Sequence, residues 1–558
     1  MVVTHGKKSR RLIVSAKDKN GKTVPVRFKT VDDNKIKVIN KSDSAVTIKL
    51  SVTPKEPLDD KMWYKTAQVI ARGLMMVRNI NFSYRDNSSL SLPGFMPTIG
   101  KAFGQRRGDI MSPGLDFAFG FVGDSYIEKA RENNWLLMSE SVATPAATNA
   151  VRTLDLKMTL EPARDFKIDL NANWSETKAK NVQYMYQGNP TTRTGQLTMT
   201  TISIGTAFES MGSASDGYRS ASFEKFCNSL ETFRNRVEAR YDGAVYPAGS
   251  ALSGQKFDPA NGGVGIYSPD VMIPAFISTY TSIGGNSLDI FPAITRLLPN
   301  WSIRYAGLGK LSPFKDIFKS VNLNHSYKSI FAIGSYSSFS TWMEYMGDLG
   351  FISDATSGYP VPSSMFNIST VSINESFSPL LGVDVTLQNN LTCKLEYRST
   401  RVINLSTTSV QLNENTSKDW VIGMGYKIND FNFFGIGSKR KVKGSKKKGG
   451  DEENQNQNQS RTQTRGNSRN FNHDLNLRFD FSYRKQASLT RDIATMTSQA
   501  SSGNTALKFS FNADYTVSKL MTMSFYFDSQ TNTPLLSANS YPTTTRDFGL
   551  SLKFSLTR

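Results

Sequence analysis

Strict alternation of apolar and polar side chains over residues 474–558 constrains the fold more than any other feature of this sequence. In the last segment Phe548, Leu550, Leu552, Phe554 and Leu556 alternate with Gly549, Ser551, Lys553, Ser555 and Thr557. Successive side chains of a β-strand point to opposite faces, so a period of two predicts strands with one apolar and one polar face. The repeated segments match the roughly 9–11 residues with which a tilted strand crosses hydrocarbon. The pattern therefore predicts a transmembrane β-barrel.

The same alternation recurs upstream. Residues 151–176 predict a hairpin, 195–208 predict a further strand, and 383–428 predict three strands with a tight turn at 388–390. Aromatic residues near strand ends, among them Trp420, favour a membrane barrel over a soluble β-sandwich, because aromatic girdles mark membrane interfaces. A helical membrane protein is excluded, since no stretch approaches the ~20 consecutive apolar residues that a spanning helix needs.

Changes of periodicity divide the chain into six parts. Two helices, near 220–239 and 268–281, interrupt the strands, and so long a stretch without barrel strands predicts a folded insertion over or inside the barrel. The predicted parts are a small β-rich segment (1–59), a helix followed by the first barrel strands (60–208), a helical and loop insertion serving as cap or lumen element (209–298), barrel strands (299–430), a disordered basic and polar loop (431–471) and the C-terminal barrel strands (472–558).

The net charge of +20 raises nucleic acid as a partner. The charge is spread along the chain, however, and its densest cluster lies in the low-complexity segment 431–471. Basic groups near anionic lipid or in solvated loops explain it better, and no nucleic-acid partner is predicted. The first 22 residues lack the apolar core of a secretory signal. The chain is accordingly expected to be a fragment whose signal lies further upstream.

Candidate chemical groups are few. Cys227 and Cys393 lie far apart without further metal ligands, and His5, His325 and His473 form no spaced pair. Three acidic residues occupy lumen-facing positions by alternation and are interpreted as wall polarity: Asp480, Asp514 and Asp528. No nucleotide-binding, zinc-hydrolase or nucleophile-elbow motif occurs. No catalytic, cofactor-binding or metal residue is predicted, no cofactor is expected, and the chain is not expected to be an enzyme.

A collinear set of segments resembles the C-terminal portion of the SprA/Sov family of Bacteroidota. The resembling segments cover most of 60–558 and are broken mainly at 431–471; they are 77–100, 133–136, 197–208, 268–282, 298–308, 321–329, 376–406 and the final strands. The resemblance implies the outer-membrane translocon of type 9 secretion, linked to gliding motility in some members. It implies the C-terminal part of a very large single-chain transmembrane antiparallel β-barrel with a few helical insertions.

Partners also follow from the resemblance. It implies outer-membrane lipid, secreted cargo proteins with a C-terminal sorting domain, a smaller barrel of the PorV type and a periplasmic plug protein. Alternative hypotheses are a porin or TonB-dependent receptor for small solutes, and a β-rich surface or adhesion protein outside the membrane. A part of a barrel would leave two strand edges unpaired, so residues 1–558 alone are expected not to form a stable channel.

Counting strands backward from a periplasmic C-terminus predicts the topology. The loops at 409–417, 488–505 and 529–545 are then expected on the outside. The short turns at 388–390 and 518–519 are expected in the periplasm, where barrel turns are short, together with the loop 431–471.

Overall fold

The structure is a computed structural model. It describes residues 1–39, 47–54, 73, 75–97, 114–120, 122, 124–139, 144–184, 191–429, 431, 474–518, 520–536 and 540–555. The chain divides into two compact units, Met1–Val77 and Arg78–Arg558. The helix predicted in the first part of 60–208 and the loop predicted at 431–471 lie largely outside the described residues.

The first unit consists of short strands. Their bounds are β1 (Val2–Thr4), β2 (Leu12–Lys17), β3 (Thr23–Val24), β4 (Arg27–Thr30), β5 (Lys35–Ile39) and β6 (Lys49–Pro54). They form two three-stranded sheets, β1-β5-β4 and β3-β2-β6. Leu12, Ile36 and Val38 form a cluster of buried apolar residues in this unit.

The second unit is built on one antiparallel sheet of fourteen strands. Its strands are β7 (Val77–Ser91), β8 (Ala146–Ala163), β9 (Phe166–Val182), β10 (Thr192–Thr200), β11 (Asn300–Tyr305), β12 (Phe318–Ser338), β16 (Phe366–Ile368), β17 (Thr370–Leu387), β18 (Leu391–Ser406), β19 (Gln411–Ile428), β20 (Leu475–Asp492), β21 (Thr497–Ser518), β22 (Met521–Pro534) and β23 (Thr543–Phe554). A small separate sheet contains β13 (Met343–Met346), β14 (Leu349–Ser353) and β15 (Pro360–Ser363). The mainly antiparallel β fold predicted from the alternation is confirmed.

Helices occur only between strands in the described part of this unit. They are α1 (Leu115–Ala118), α2 (Asp124–Glu132), α3 (Ala221–Ala239) and α4 (Pro269–Tyr280). Single 3-10 turns lie at Ile204–Thr206, Ala214–Asp216, Pro259–Asn261, Ile294–Arg296 and Leu308–Lys310. The two long helices agree with those predicted near 220–239 and 268–281. Helix α3 begins where it does because the Ser220 hydroxyl accepts a hydrogen bond from the Phe223 amide at 3.2 Å.

Strands β10 and β11 occupy two halves of a single strand position. Both pair with β9 and with β12: β10 lies opposite residues 174–181 of β9, and β11 lies opposite residues 166–171. Residues 201–299 therefore leave the sheet in the middle of a strand position and return to the same position. The strand predicted at 195–208 is wrong beyond Thr200, because the chain turns out of the sheet there.

The strands extend further than the apolar alternation indicated. The predicted loops at 409–417 and 488–505 are wrong: β19 begins at Gln411, β20 runs to Asp492 and β21 begins at Thr497. Polar residues such as Asn413 and Glu414 obscure the pattern, although their backbones remain in the ladder between β18 and β20. The connections themselves still lie at one end of the sheet, opposite the turns after β17 and β21, as strand alternation requires.

Candidate functional site: the two faces of the sheet

The unbroken register from β18 through β19 to β20 determines which side chains share a face. Leu405 pairs with Leu412, which pairs with Arg491; Tyr397 pairs with Trp420, which pairs with Tyr483. Directly paired residues lie on the same face, and so do residues an even number apart on one strand. Both rows therefore lie on one face, which is called the apolar face below; its reverse is called the polar face.

At one end of the strands the apolar face is exposed. Its exposed large side chains on β17–β23 are Leu381, Leu395, Trp420, Met424, Tyr426, Tyr483, Leu507, Phe525, Phe548, Leu550, Leu552 and Phe554. Phe548 is 76% exposed and Leu550 is 63% exposed. Soluble monomers rarely expose a contiguous apolar surface of this extent.

The exposed apolar stretch has the length of a membrane crossing. On β19 it runs from Trp420 to Ile428, and on β20 from Leu475 to Tyr483. At about 3.3 Å per residue each stretch covers roughly 26 Å, close to the ~25 Å apolar band of outer-membrane barrels. Tyr397 and Trp420 pack together at the limit of the band, with ring centroids 4.6 Å apart.

The polar face carries the three acidic residues identified from the sequence. Asp480 lies opposite Ser510, which in turn lies opposite Asp528, while Asp514 lies on another row between Asn476 and Ser524. The structure thus brings Asp480 and Asp528 onto one row and leaves Asp514 apart. All three point away from the apolar face.

Ion pairs lie on the polar face, two within β18 and one between β20 and β19. Lys394 contacts Glu396 at 2.8 Å, and Arg398 contacts the same carboxylate. Arg484 donates to Asp419 at 2.9 Å. Such a charged, hydrogen-bonded surface is suited to water and unsuited to hydrocarbon.

At the other end of the strands the insertion, residues 201–299, covers the apolar face. The largest cluster of buried apolar residues joins α3 and α4 to strand residues of that face, including Val371, Ile373, Ile403, Leu405 and Leu412. Every residue that β17–β19 contribute to this cluster lies on the apolar face. The insertion, predicted as a cap or lumen element, thus packs on the apolar face of the sheet, because that face offers apolar surface to bury.

Four charged residues lie beneath the insertion on this otherwise apolar face. They are Glu375, Arg401, Glu414 and Arg491, all less than a tenth exposed. Arg491 pairs with Glu414 at 3.0 Å, and Arg401 lies 3.6 Å from Glu375 and 4.0 Å from Glu414. The charges alternate in sign from β17 to β20, so each ion of this charged cluster has an oppositely charged neighbour.

The charged cluster forms hydrogen bonds to the insertion, both to its backbone carbonyls and to a serine side chain. Arg401 donates to the Thr206 carbonyl, and Arg491 donates to the Tyr218 carbonyl at 2.6 Å. Glu375 accepts hydrogen bonds from the Ser203 hydroxyl at 2.7 Å and the Tyr327 hydroxyl at 2.8 Å. Three residues of the insertion, Ser203, Thr206 and Tyr218, are thereby attached to β17, β18 and β20.

Sequence reasoning missed these four residues, although a signal was present. Glu375 stands between Ile373 and Phe377, and Glu414 stands two residues after Leu412, at positions where the alternation requires apolar side chains. A charged residue at a strand position where the alternation requires an apolar side chain indicates either a break in the strand or a buried partner of opposite charge. In the structure these charges have buried partners.

A cavity of about 1000 Å³ lies beside the insertion, between α3 and the ends of β7–β10. Lys178, Arg193 and Arg240 line it together with Asp270. Burial raises the pKa of Asp270 above its usual range, although its carboxylate accepts a hydrogen bond from the Ser364 amide at 2.9 Å. Arg193 contacts the Met365 sulfur at 2.9 Å.

The cysteines and histidines lie apart. Burial within the insertion raises the pKa of Cys227 to about 12, and Cys393 lies on the apolar face opposite Met424. His325 accepts a hydrogen bond from the Trp301 indole at 3.1 Å, and His473 lies outside the described residues. Over the described ranges no group of three potential metal ligands occurs. No helix in those ranges is long and apolar enough to span a membrane.

Comparisons with known proteins add little to this geometry. No protein-family model matches the chain, and no curated protein matches it. Among solved structures, the β domain of the Bordetella autotransporter BrkA is 7% identical, with a TM-score of 0.20 over 74% of this chain and 92% of that one. An anion-selective porin from Comamonas acidovorans is 7% identical, with a TM-score of 0.10 over 71% and 84%. Likeness at these scores carries no argument about this chain.

Proposed function

We propose that the second unit is part of an outer-membrane β-barrel, with the apolar face against lipid and the polar face lining an aqueous lumen. The observation that carries this proposal is the exposed apolar band on β17–β23, which is backed on the same strands by a charged polar face. A soluble sheet that exposed Phe548, Leu550 and Leu552 would associate through them. In a bilayer the same residues contact the lipid chains, and the backbone N–H and C=O groups of the strands are hydrogen-bonded to neighbouring strands of the sheet.

We further propose that the lumen conducts proteins, as a component of a type 9 secretion translocon linked to gliding motility, and that the chain acts in transport rather than catalysis. The collinear resemblance to the SprA/Sov family supports this. Secreted cargo proteins with a C-terminal sorting domain would pass along the polar face. A PorV-type barrel and a periplasmic plug protein would be the partners, as that family has them.

Two features of the sheet favour a wide lumen. The insertion packs on the apolar side, so its apolar core takes no space from the polar face. In the described residues β7 and β23 are the two edge strands of the sheet, and they do not pair with each other. In hydrocarbon both edges require backbone partners, and each further strand inserted between β7 and β23 would widen the lumen.

The test of the finer proposal is depletion of the protein in its native cell. Proteins with the C-terminal sorting domain should then accumulate in the periplasm, while uptake of small solutes should stay unchanged. Normal secretion together with impaired uptake of one nutrient would instead indicate a porin or a TonB-dependent receptor. Normal secretion and normal uptake would refute both transport functions.

The location is tested separately. Membranes from the native cell should retain the protein after carbonate extraction, and unheated samples should migrate differently from heated samples in detergent gels. Release by carbonate would indicate a surface or adhesion protein outside the bilayer.

A further inference from the structure

Three cations mark the limit of the apolar band on its own face. Lys418 precedes Trp420 on β19, Lys485 follows Tyr483 on β20, and Arg546 precedes Phe548 on β23. The register places Lys418 directly opposite Lys485. Like charges directly opposite each other destabilise a sheet, so the pair calls for an anion.

These cations have no carboxylate partner among the described residues, whereas polar-face cations at the same level do. The neighbours of the lysine pair along the row are Ser399 and Thr505, and Arg546 lies opposite Ser529. By contrast, Arg484, adjacent to Lys485 in sequence, is paired with Asp419 on the polar face. In the described residues the carboxylates of the lysines' own face, Glu375 and Glu414, are paired with Arg401 and Arg491 instead.

The insertion bounds the lysine pair on the side away from the band. Two residues before Lys418, the Thr416 hydroxyl contacts the Met211 sulfur. Phe208 packs on Phe377 with ring centroids 5.3 Å apart, and it remains 61% exposed. From Trp420 to Thr416 the strip spans about 13 Å, enough for the polar headgroups that flank a hydrocarbon core.

We propose that Lys418 and Lys485 bind the phosphate of a membrane lipid whose acyl chains lie along Trp420 and Tyr483. The inference rests on the outer-membrane location proposed above. Two ammonium groups on one row supply charge-assisted hydrogen bonds to a phosphate, and the aromatic row below supplies an apolar surface for the chains. The lipid would fix the height of the sheet in the bilayer beneath the insertion.

The test is lipid retention by the whole protein purified in detergent, with phosphatidylglycerol and phosphatidylcholine added back. Native mass spectrometry should show phosphatidylglycerol bound to the wild type. K418Q/K485Q should bind it about thirtyfold more weakly, at roughly 1 kcal/mol per basic residue. K418R/K485R, which keeps both charges, should bind it normally. The matched control is R478Q/K508Q, which removes two exposed cations from the polar face of β20 and β21.

The outcomes separate the two proposals. If K418Q/K485Q and the control retain phosphatidylglycerol equally, the lipid site is overturned. The barrel proposal still stands in that case, provided that the protein resists carbonate extraction and is heat-modifiable. Protein released by carbonate would overturn both. Inorganic phosphate that binds the lipid-free protein at the lysines and displaces phosphatidylglycerol would indicate a site for free phosphate and overturn the lipid assignment. If K418Q/K485Q does not fold, wild-type protein that retains no phosphatidylglycerol refutes the site.

Discussion

Arg491 of β20 and Glu414 of β19 form a buried ion pair at 3.0 Å on the face of the sheet that is otherwise apolar. The arginine is 1% exposed, and it also donates to the Tyr218 carbonyl in the insertion and to the Ser498 hydroxyl on β21. Its guanidinium lies 5.6 Å from the Phe223 ring of α3. One side chain therefore connects three strands with the insertion that covers them.

Replacing Arg491 by Met should loosen the insertion. Removing Arg491 leaves Glu414 with only the more distant Arg401, 4.0 Å away, and losing one partner of a buried pair costs about 3–5 kcal/mol. Limited proteolysis of folded protein should cut between 201 and 299 much faster in R491M than in the wild type. The control is Arg484→Met, which breaks an exposed pair with Asp419 and should cost less than about 1 kcal/mol. Equal cleavage rates in the two variants would contradict the anchoring role.

A charge placed on the apolar band should block membrane assembly. Leu550 and Ser551 are adjacent on β23, both exposed, and point to opposite faces. Leu550→Arg should cost about 2–4 kcal/mol in a bilayer and lower the heat-modifiable, membrane-inserted fraction, whereas Ser551→Arg should leave it unchanged. If the apolar face were in water, L550R would fold as well as S551R, since neither site is buried.

The stability of the insertion should depend on the protonation of Asp270. Burial raises its pKa in the folded state, so the folded state binds the proton more tightly than the unfolded state. This contribution to stability is complete below the unfolded pKa and is lost as pH rises through the raised value. Protease resistance of the insertion should consequently fall as the pH is raised above the pKa of the unfolded carboxyl and through the higher pKa of the folded state.

Asp270→Asn should flatten that pH dependence, because the amide is neutral throughout and can still accept from the Ser364 amide. Asp242→Asn, at an exposed position of the same insertion, should keep the wild-type slope. A slope that persists in D270N would assign the effect to another group.

The two cysteines should differ in reactivity. Burial raises the pKa of Cys227 to about 12, so almost no thiolate is present near neutral pH. A water-soluble maleimide should therefore label Cys227 in a C393S variant only after unfolding. Rapid labelling of folded protein would show that α3 does not pack as the structure has it. R491M in the same background should accelerate labelling.

Much of the fold could be predicted from local pattern alone. Alternation from Leu475 to Tyr483 and from Leu507 to Tyr515 indicated strands and faces correctly, because the direction of a strand side chain depends only on its position along the chain. Both helices of the insertion were also predicted close to their observed positions, near 220–239 and 268–281. Strand ends were predicted poorly, because polar residues under the insertion, such as Glu414 and Thr416, occupy positions of the apolar face and interrupt the alternation of apolar and polar side chains.

The sequence by itself determined which residues form strands and which side of each strand is apolar. Only the tertiary structure decided what covers that side. It showed that residues 201–299 leave and re-enter one strand position, so that β10 and β11 share it. It also brought Glu375, Arg401, Glu414 and Arg491 from four strands into one cluster of alternating charge. The physical reason is range: alternation reports on neighbours along the chain, whereas the burial of a charge depends on partners distant in sequence, here the backbone of a separate folded segment.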